Sequence, residues 1–361
     1  MRRTFNFNAG PAALPQPVLE KASKNWLNFD GTGMGIMELS HRSKEYELVH
    51  EGAKARLRRL LAISDDYEIL FLQGGASLQF SMVPMNLLGE DEVGCYILTG
   101  AWSEKALKEA EKIGRTSILS SGKALGYQTI PHIEQPNLPS DAAYVHLTSN
   151  NTIYGTQWSS YPSDISVPLI ADMSSDILSK PIDVNKFGLI YAGAQKNLGP
   201  SGVTVVMIHK QLLEKAPSSL PTMLNYQTHA NSQSLYNTPP TLSIYLLYLV
   251  LEWVEEIGGV DVMAKHNQQK ANILYSVIDE SSGFFNGHAT VESRSLMNVT
   301  FTLPSEEYTK QFLQEAKSRG FVGLSGHRSI GGCRASIYNA VPQDDVVQLA
   351  QFMKEFQLQY S

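Results

Sequence analysis

Residues 67–88 read YEILFLQGGASLQFSMVPMNLL, and the stretch changes character at its two glycines. YEILFLQ (67–73) is a short run of aromatic and branched apolar residues, the composition of a buried strand. Gly74 and Gly75 break the run, and ASLQFSMVPMNLL (76–88) is of helix length. A strand that turns directly into a helix is half of a crossover unit. The next strand should therefore return parallel to the first.

The pattern recurs downstream. EVGCYILTG (92–100) reads as a strand, and AWSEKALKEAEKIG (101–114) reads as a helix closed by glycine. AAYVHLTSN (142–150), VPLIAD (167–172), FGLIYAGA (187–194) and SGVTVVMIHK (201–210) read as further strands. The expected fold class is α/β, a large domain with a mostly parallel sheet covered by helices. After about residue 240 the texture changes. TLSIYLLYLVLEWVEEIGG and VDVMAKHNQQKANILYSVIDESSG predict two long helices. LMNVTFTLP, SEEYTKQFLQEAKSRG, CRASIYNAV and PQDDVVQLAQFMKEFQLQY then read as strand, helix, strand and helix. That is a smaller C-terminal α+β domain, with a boundary near residue 260.

The bulk numbers exclude several classes. A chain of 361 residues with 43% hydrophobic and 18% charged residues has an ordinary globular balance. A net charge of −6 gives no reason to expect nucleic acid or an anionic membrane as partner. Cys95 and Cys333 are too few for a disulfide framework or a cysteine-rich zinc site, and such usage fits a reducing cytosol. MRRTFNFNAGPAALP is basic but has no apolar core, so no secretory signal is expected. IYLLYLVLEW is too short to span a bilayer. No repeat period is evident.

In open parallel sheets ligands bind beyond the carboxyl ends of the strands, so the residues that follow each strand matter most. After the first come Gly74, Gly75, Ala76 and Ser77. They make either a tight turn or a cradle that offers helix N–H groups to a phosphate. After the second comes Trp102, a packing residue or a plate for a flat ligand. After the third come Thr148, Ser149, Asn150, Asn151 and Thr152, a polar loop that could donate hydrogen bonds. The fourth ends in Asp172, a helix cap or a buried acid in need of a cation. Beyond the fifth stands Lys196, in AGAQKNLGPSG. Asp172 precedes it by about the length of one further helix and strand. Each signal alone is weak. Together they match pyridoxal phosphate, which has a phosphate, a flat ring, a basic ring nitrogen and an aldehyde.

ADMSSDILSKPIDV and GLIYAGAQKNLGPSGV resemble the cofactor-lysine region of fold-type-I pyridoxal phosphate enzymes. With FNFNAGPAALP, GTGMGIMELSHRS and LQGGASLQF, nearly the whole chain is similar to the phosphoserine aminotransferase family of class-V aminotransferases. The resemblance implies roles by position. Lys196 would be the Schiff-base lysine, Asp172 would pair with the pyridine nitrogen, and Trp102 would stack on the ring. Thr152 would hydrogen-bond near the ring hydroxyl or Asp172. Gly75, Ala76, Ser77 and Gln195 would hold the cofactor phosphate. Asn237 and Thr238, in SLYNTPP, would reach that phosphate from the neighbouring subunit, which implies a homodimer with shared active sites. The implied division is a segment 1–15 associated with the small domain, a large cofactor-binding domain 16–260 and a small domain 261–361. The implied reaction is transamination between glutamate and 3-phosphooxypyruvate in a cytoplasmic enzyme of serine biosynthesis.

Such substrates are anionic at both ends and suit guanidinium forks and imidazolium donors. SHRS supplies His41 and Arg42, and GLSGHRSIGGCRAS supplies His327, Arg328 and Arg334. Each His-Arg pair alone could be a solvated loop charge. With the resemblance, Arg334 is assigned to the α-carboxylate. His41, Arg42, His327 and Arg328 are assigned to the phosphate or to glutamate's distal carboxylate. Cys333 is read as a packed residue rather than a nucleophile. The rival readings are an aminotransferase for a small uncharged amino acid and a cofactor-binding regulator without catalysis.

Overall fold

The computed structural model describes residues 3–361 other than 132, 134–136 and 164. Residues 1 and 2 of the expected 1–15 segment lie outside that set. Seven strands form the main sheet, in the order Tyr67–Leu72, Thr204–His209, Leu189–Gly193, Leu169–Asp172, Ala142–Thr148, Val93–Leu98, Arg115–Ser121. Thr204–His209 runs antiparallel to both neighbours, and the other pairs are parallel. The α/β expectation holds.

Side-chain alternation along the strands builds two cores. Ile69, Phe71, Cys95, Ile97, Val145 and Leu147 point to one face, where the helices Lys44–Leu61 and Thr241–Glu256 cover them. Leu70, Leu72, Tyr96, Leu98 and Tyr144 point to the other, under the helices Gly75–Leu87 and Ala101–Ala110. Burial on both faces explains the near-continuous apolar runs of these strands. Arg115–Ser121 is the exception. It is a partly exposed edge strand with a polar sequence, and it escapes a search for apolar runs.

One expectation fails. The link from Asp172 to Lys196 contains no α-helix. Turns and the 3₁₀ segment Val184–Lys186 make the connection, followed by the short strand Leu189–Gly193. KPID, with its proline and aspartate, suits turns better than a helix.

A third apolar cluster gathers Phe7 and Ala13 with residues from Ala271 to Phe356. Phe5 and Asn6 pair with Phe321 and Val322, so the N-terminal segment joins this unit. A three-stranded antiparallel sheet here sets Arg334, on Cys333–Ser336, across from Thr300. The helix Gly259–Asp279 serves two clusters: Val260 and Met263 pack with the main sheet, Ala271 and Leu274 with the C-terminal unit. No described helix is long and apolar enough to cross a membrane.

Candidate active site

A cavity of about 350 Å3 opens at the carboxyl edge of the parallel strands, a size suited to a small molecule. A larger cleft of about 660 Å3 lies beside Arg3 and Gln16 but lacks a lysine. Chemistry rather than volume selects the former.

Three wall residues, Gly75, Ala76 and Ser77, open the helix Gly75–Leu87. Gly74 (φ +87°) and Gly75 (φ +65°) turn the strand into that helix, and a Cβ on Gly74 would stand 2.6 Å from Leu78 Cβ. Only glycine fits there. No side chain caps the helix, so its first N–H groups and positive dipole end suit an anion.

Trp102 lines the cavity from the helix Ala101–Ala110. Its Nε1 donates to Thr152 Oγ1 at 2.9 Å, which fixes the indole against the wall. The Thr152 hydroxyl is thus engaged with Trp102, and it makes no hydrogen bond to Asp172.

Asp172 ends its strand, between Thr148 and Tyr191 in the sheet register. It is buried, and burial pushes its pKa up, against the opposing influence of Lys196 and of hydrogen bonds from Ser174. Both of those bonds, from Ser174 N (2.9 Å) and Oγ (2.6 Å), fall on Oδ1. Ser174 Oγ also accepts from Gly193 N at 3.1 Å, which ties the acid to the strand that delivers the lysine. Sequence reasoning quoted this serine without assigning it. An Asx-type bond two residues after an aspartate was the available signal.

Lys196 follows the strand Leu189–Gly193 on a helical turn. Leu198 N and Gly199 N both bond Ala194 O, at 3.2 and 2.8 Å. Burial lowers the lysine pKa first of all, Arg334 adds to that, and Asp172 and Asp176 oppose it. Nζ lies 5.8 Å from the Trp102 ring. Neighbours hold the turn from two sides. Ala12 N donates to Gln195 O at 2.9 Å, and Asn339 N donates to Asn197 Oδ1 at 3.0 Å. Gly10 lies close enough that a Cβ there would sit 3.5 Å from Lys196 Cγ.

Gln195, His327 and Arg334 complete the predicted residues on the wall. One Arg334 nitrogen donates to Thr152 O at 3.0 Å, while its buried Nε has no partner among the described residues. Burial and then the neighbouring Arg334, Arg328 and Lys105 hold His327 below the ordinary histidine pKa. The cavity mouth therefore gathers cations. The sequence missed Ser175, Phe80, Ala9 and Gly10 as wall residues.

Five predicted residues lie elsewhere in the single chain. Arg328 is exposed and off the wall. His41 and Arg42 also lie outside the cavity. Asn237 and Thr238 bond Gln73, just before the glycines: Asn237 Nδ2 donates to Gln73 Oε1 at 3.2 Å, and Gln73 Nε2 to Thr238 O at 3.3 Å. Cys333 is buried and its thiol is pushed up to about 12, so little of it is thiolate at neutral pH.

Comparison with known proteins agrees with this chemistry. The family model for class-V aminotransferases matches residues 4–349. A phosphoserine aminotransferase of Geobacillus kaustophilus is 67% identical, with all of both chains covered. A solved phosphoserine aminotransferase of Bacillus circulans subsp. alkalophilus superposes with a TM-score of 0.98 at 53% identity, with 99% of each chain covered. Another solved structure, described as radiation damage of the Schiff base in phosphoserine aminotransferase, gives a TM-score of 0.97 at 61% identity, covering 99% of this chain and 100% of that one. A buried lysine and acid beside an uncapped helix start, together with a family match over almost the full length, lead to one conclusion: the chain belongs to the class-V aminotransferases.

Proposed function

We propose that the chain is a phosphoserine aminotransferase that moves the amino group of L-glutamate to 3-phosphooxypyruvate, giving O-phospho-L-serine and 2-oxoglutarate in serine biosynthesis. The observation that carries this reading is one cavity that joins Lys196, Asp172 and Trp102 to a cationic mouth.

The residues present fit pyridoxal 5'-phosphate. Gly75, Ala76, Ser77 and Gln195 would take its phosphate, Trp102 one ring face and Asp172 its ring nitrogen. The cofactor, when bound, supplies an electron sink for the bond at the substrate's α-carbon. This chain's residues do the rest. Lys196 Nζ, buried and with a lowered pKa, would take the α-proton as a base and return it as an acid. Asp172 would hold a proton on the ring nitrogen through the oxygen that Ser174 leaves open. Arg334, oriented by the Thr152 carbonyl, would grip the α-carboxylate. His327 and Arg328, with His41 and Arg42 of a second subunit, would hold the phosphate or the distal carboxylate.

The position of His41, Arg42, Asn237 and Thr238 outside their own chain's cavity supports a homodimer with shared sites. Exposed Trp26, Leu27, Met34 and Met37, close in sequence to His41, add apolar surface suited to such an interface. Two free buried cysteines accord with a cytoplasmic location.

Arg42→Ala and Arg328→Ala should each raise the KM for O-phosphoserine by about 10- to 100-fold, the effect of losing one charge-assisted hydrogen bond. Steady-state kinetics checks this. An unchanged KM in both variants removes the phosphate assignment.

A further inference from the structure

We infer that Lys270 is a positioning residue for the Lys196 site, acting through the 337–341 turn. The inference rests on the reading of Lys196 and Arg334 as site residues. Lys270 lies on the helix Gly259–Asp279 and is 2% exposed. Its Nζ donates to three backbone carbonyls, those of Ile337 (2.9 Å), Tyr338 (2.7 Å) and Val341 (3.2 Å). Three acceptors need three donors, and only the ammonium form has them. Burial pulls the lysine down to about 7, and the charged form is the one that can donate to all three carbonyls at once. A cation buried with no carboxylate bonded to it among the described residues is costly. What that charge does here is fix the shape of one turn.

The turn is a junction. The Tyr338 hydroxyl donates to Ala9 O at 2.8 Å, one residue before the glycine that abuts Lys196. Asn339 N donates to the side chain of Asn197, next to Lys196. Asn339 Nδ2 donates to Leu178 O at 3.0 Å, in the segment that leaves Asp172. Asn339 Oδ1 accepts from Asn267 Nδ2 at 2.8 Å. Asn267 and Lys270 are three residues apart and share a helix face. The strand that enters the turn, Cys333–Ser336, carries Arg334. One helix face thus holds the turn that bonds Ala9 and Asn197, on two sides of Lys196, and that follows the strand carrying Arg334.

Hydrogen–deuterium exchange on the cofactor-loaded protein, with kinetics alongside, tests this. In Lys270→Met, exchange should quicken about tenfold or more at 337–341 and also at 195–199. The kcat should fall about 10- to 100-fold through misplacement of reacting groups. Faster exchange confined to 337–341, with 195–199 and kcat as in wild type, would overturn the inference. If Lys270→Met does not fold, Asn339→Ala loosens the same turn by removing its side-chain bonds to Asn267 and Leu178, while leaving the three carbonyls and the backbone bond to Asn197 in place to pass the change on. Exchange at 195–199 should still quicken about tenfold, and no change there overturns the inference as well. Wild-type turnover measured in parallel separates a failure of this inference from a failure of the proposed function.

Discussion

Lys196→Ala is expected to lose at least about 10³-fold in kcat, within the range for removal of a positioned acid–base group. The cavity offers no substitute. Its other nitrogen bases on the wall are His327 and Arg334. An arginine does not give up its proton, and His327 is assigned to the substrate's distal anion rather than to its α-carbon. Burial also leaves more of Lys196 as the neutral amine that can accept a proton than in an exposed lysine, because its pKa lies below 10.5. In the wild type the rate should therefore rise with pH through a midpoint below that value and level off above it, as Lys196 becomes neutral. Borohydride treatment followed by mass spectrometry should fix the cofactor to Lys196 in the wild type and leave Lys196→Ala unlabelled. Full turnover in the variant, with a fixed cofactor, would show that another residue does this work.

Asp172→Asn should cost about 10²- to 10⁴-fold in kcat, because a neutral amide does not hold a proton on the ring nitrogen as a buried carboxylate does. The same change should stabilise the unloaded protein. The fold raises the Asp172 pKa, chiefly by burial, so the folded state binds that proton more tightly than the unfolded chain does. This contribution is fully present below the unfolded pKa and is lost as pH rises through the folded one. At neutral pH the ionised acid is thus a burden on the unloaded fold, and the near-isosteric amide removes it. The melting temperature of unloaded Asp172→Asn should exceed that of the wild type by roughly 2 °C per ~1 kcal/mol gained, with a difference that shrinks towards acid pH. A loss of both activity and unloaded stability would mean that the carboxylate has partners in the unloaded fold that outweigh its burial.

Much of this site was legible because its residues follow strands. Gly74 and Gly75, Trp102, Thr152, Asp172 and Lys196 each stand where an apolar run stops, and a parallel sheet brings those points to one edge. The chain's middle was less legible. Thr204–His209 reads as a strand, but nothing in its sequence says that it runs antiparallel between the first and fifth strands of the series. The helix Lys44–Leu61 was overlooked although Ser43 caps it, acids fill its first turn and arginines its last. The support behind Lys196 was beyond reach, because Asn339 and Asn197 meet from distant parts of the chain. Arg334 was legible as a charge, but its grip on the Thr152 carbonyl exists only once the two sheets pack. His41 and Arg42 were conspicuous in sequence, yet a single chain does not bring them to its own cavity.

The most direct test of the proposed activity compares O-phosphoserine with serine as amino donor to 2-oxoglutarate, by kcat/KM on the cofactor-loaded protein. A site that pairs several cations with a phosphate should prefer the phosphorylated donor by about 10³-fold or more, because serine would leave those cations unmatched. Equal values, or a preference for serine, would contradict the account.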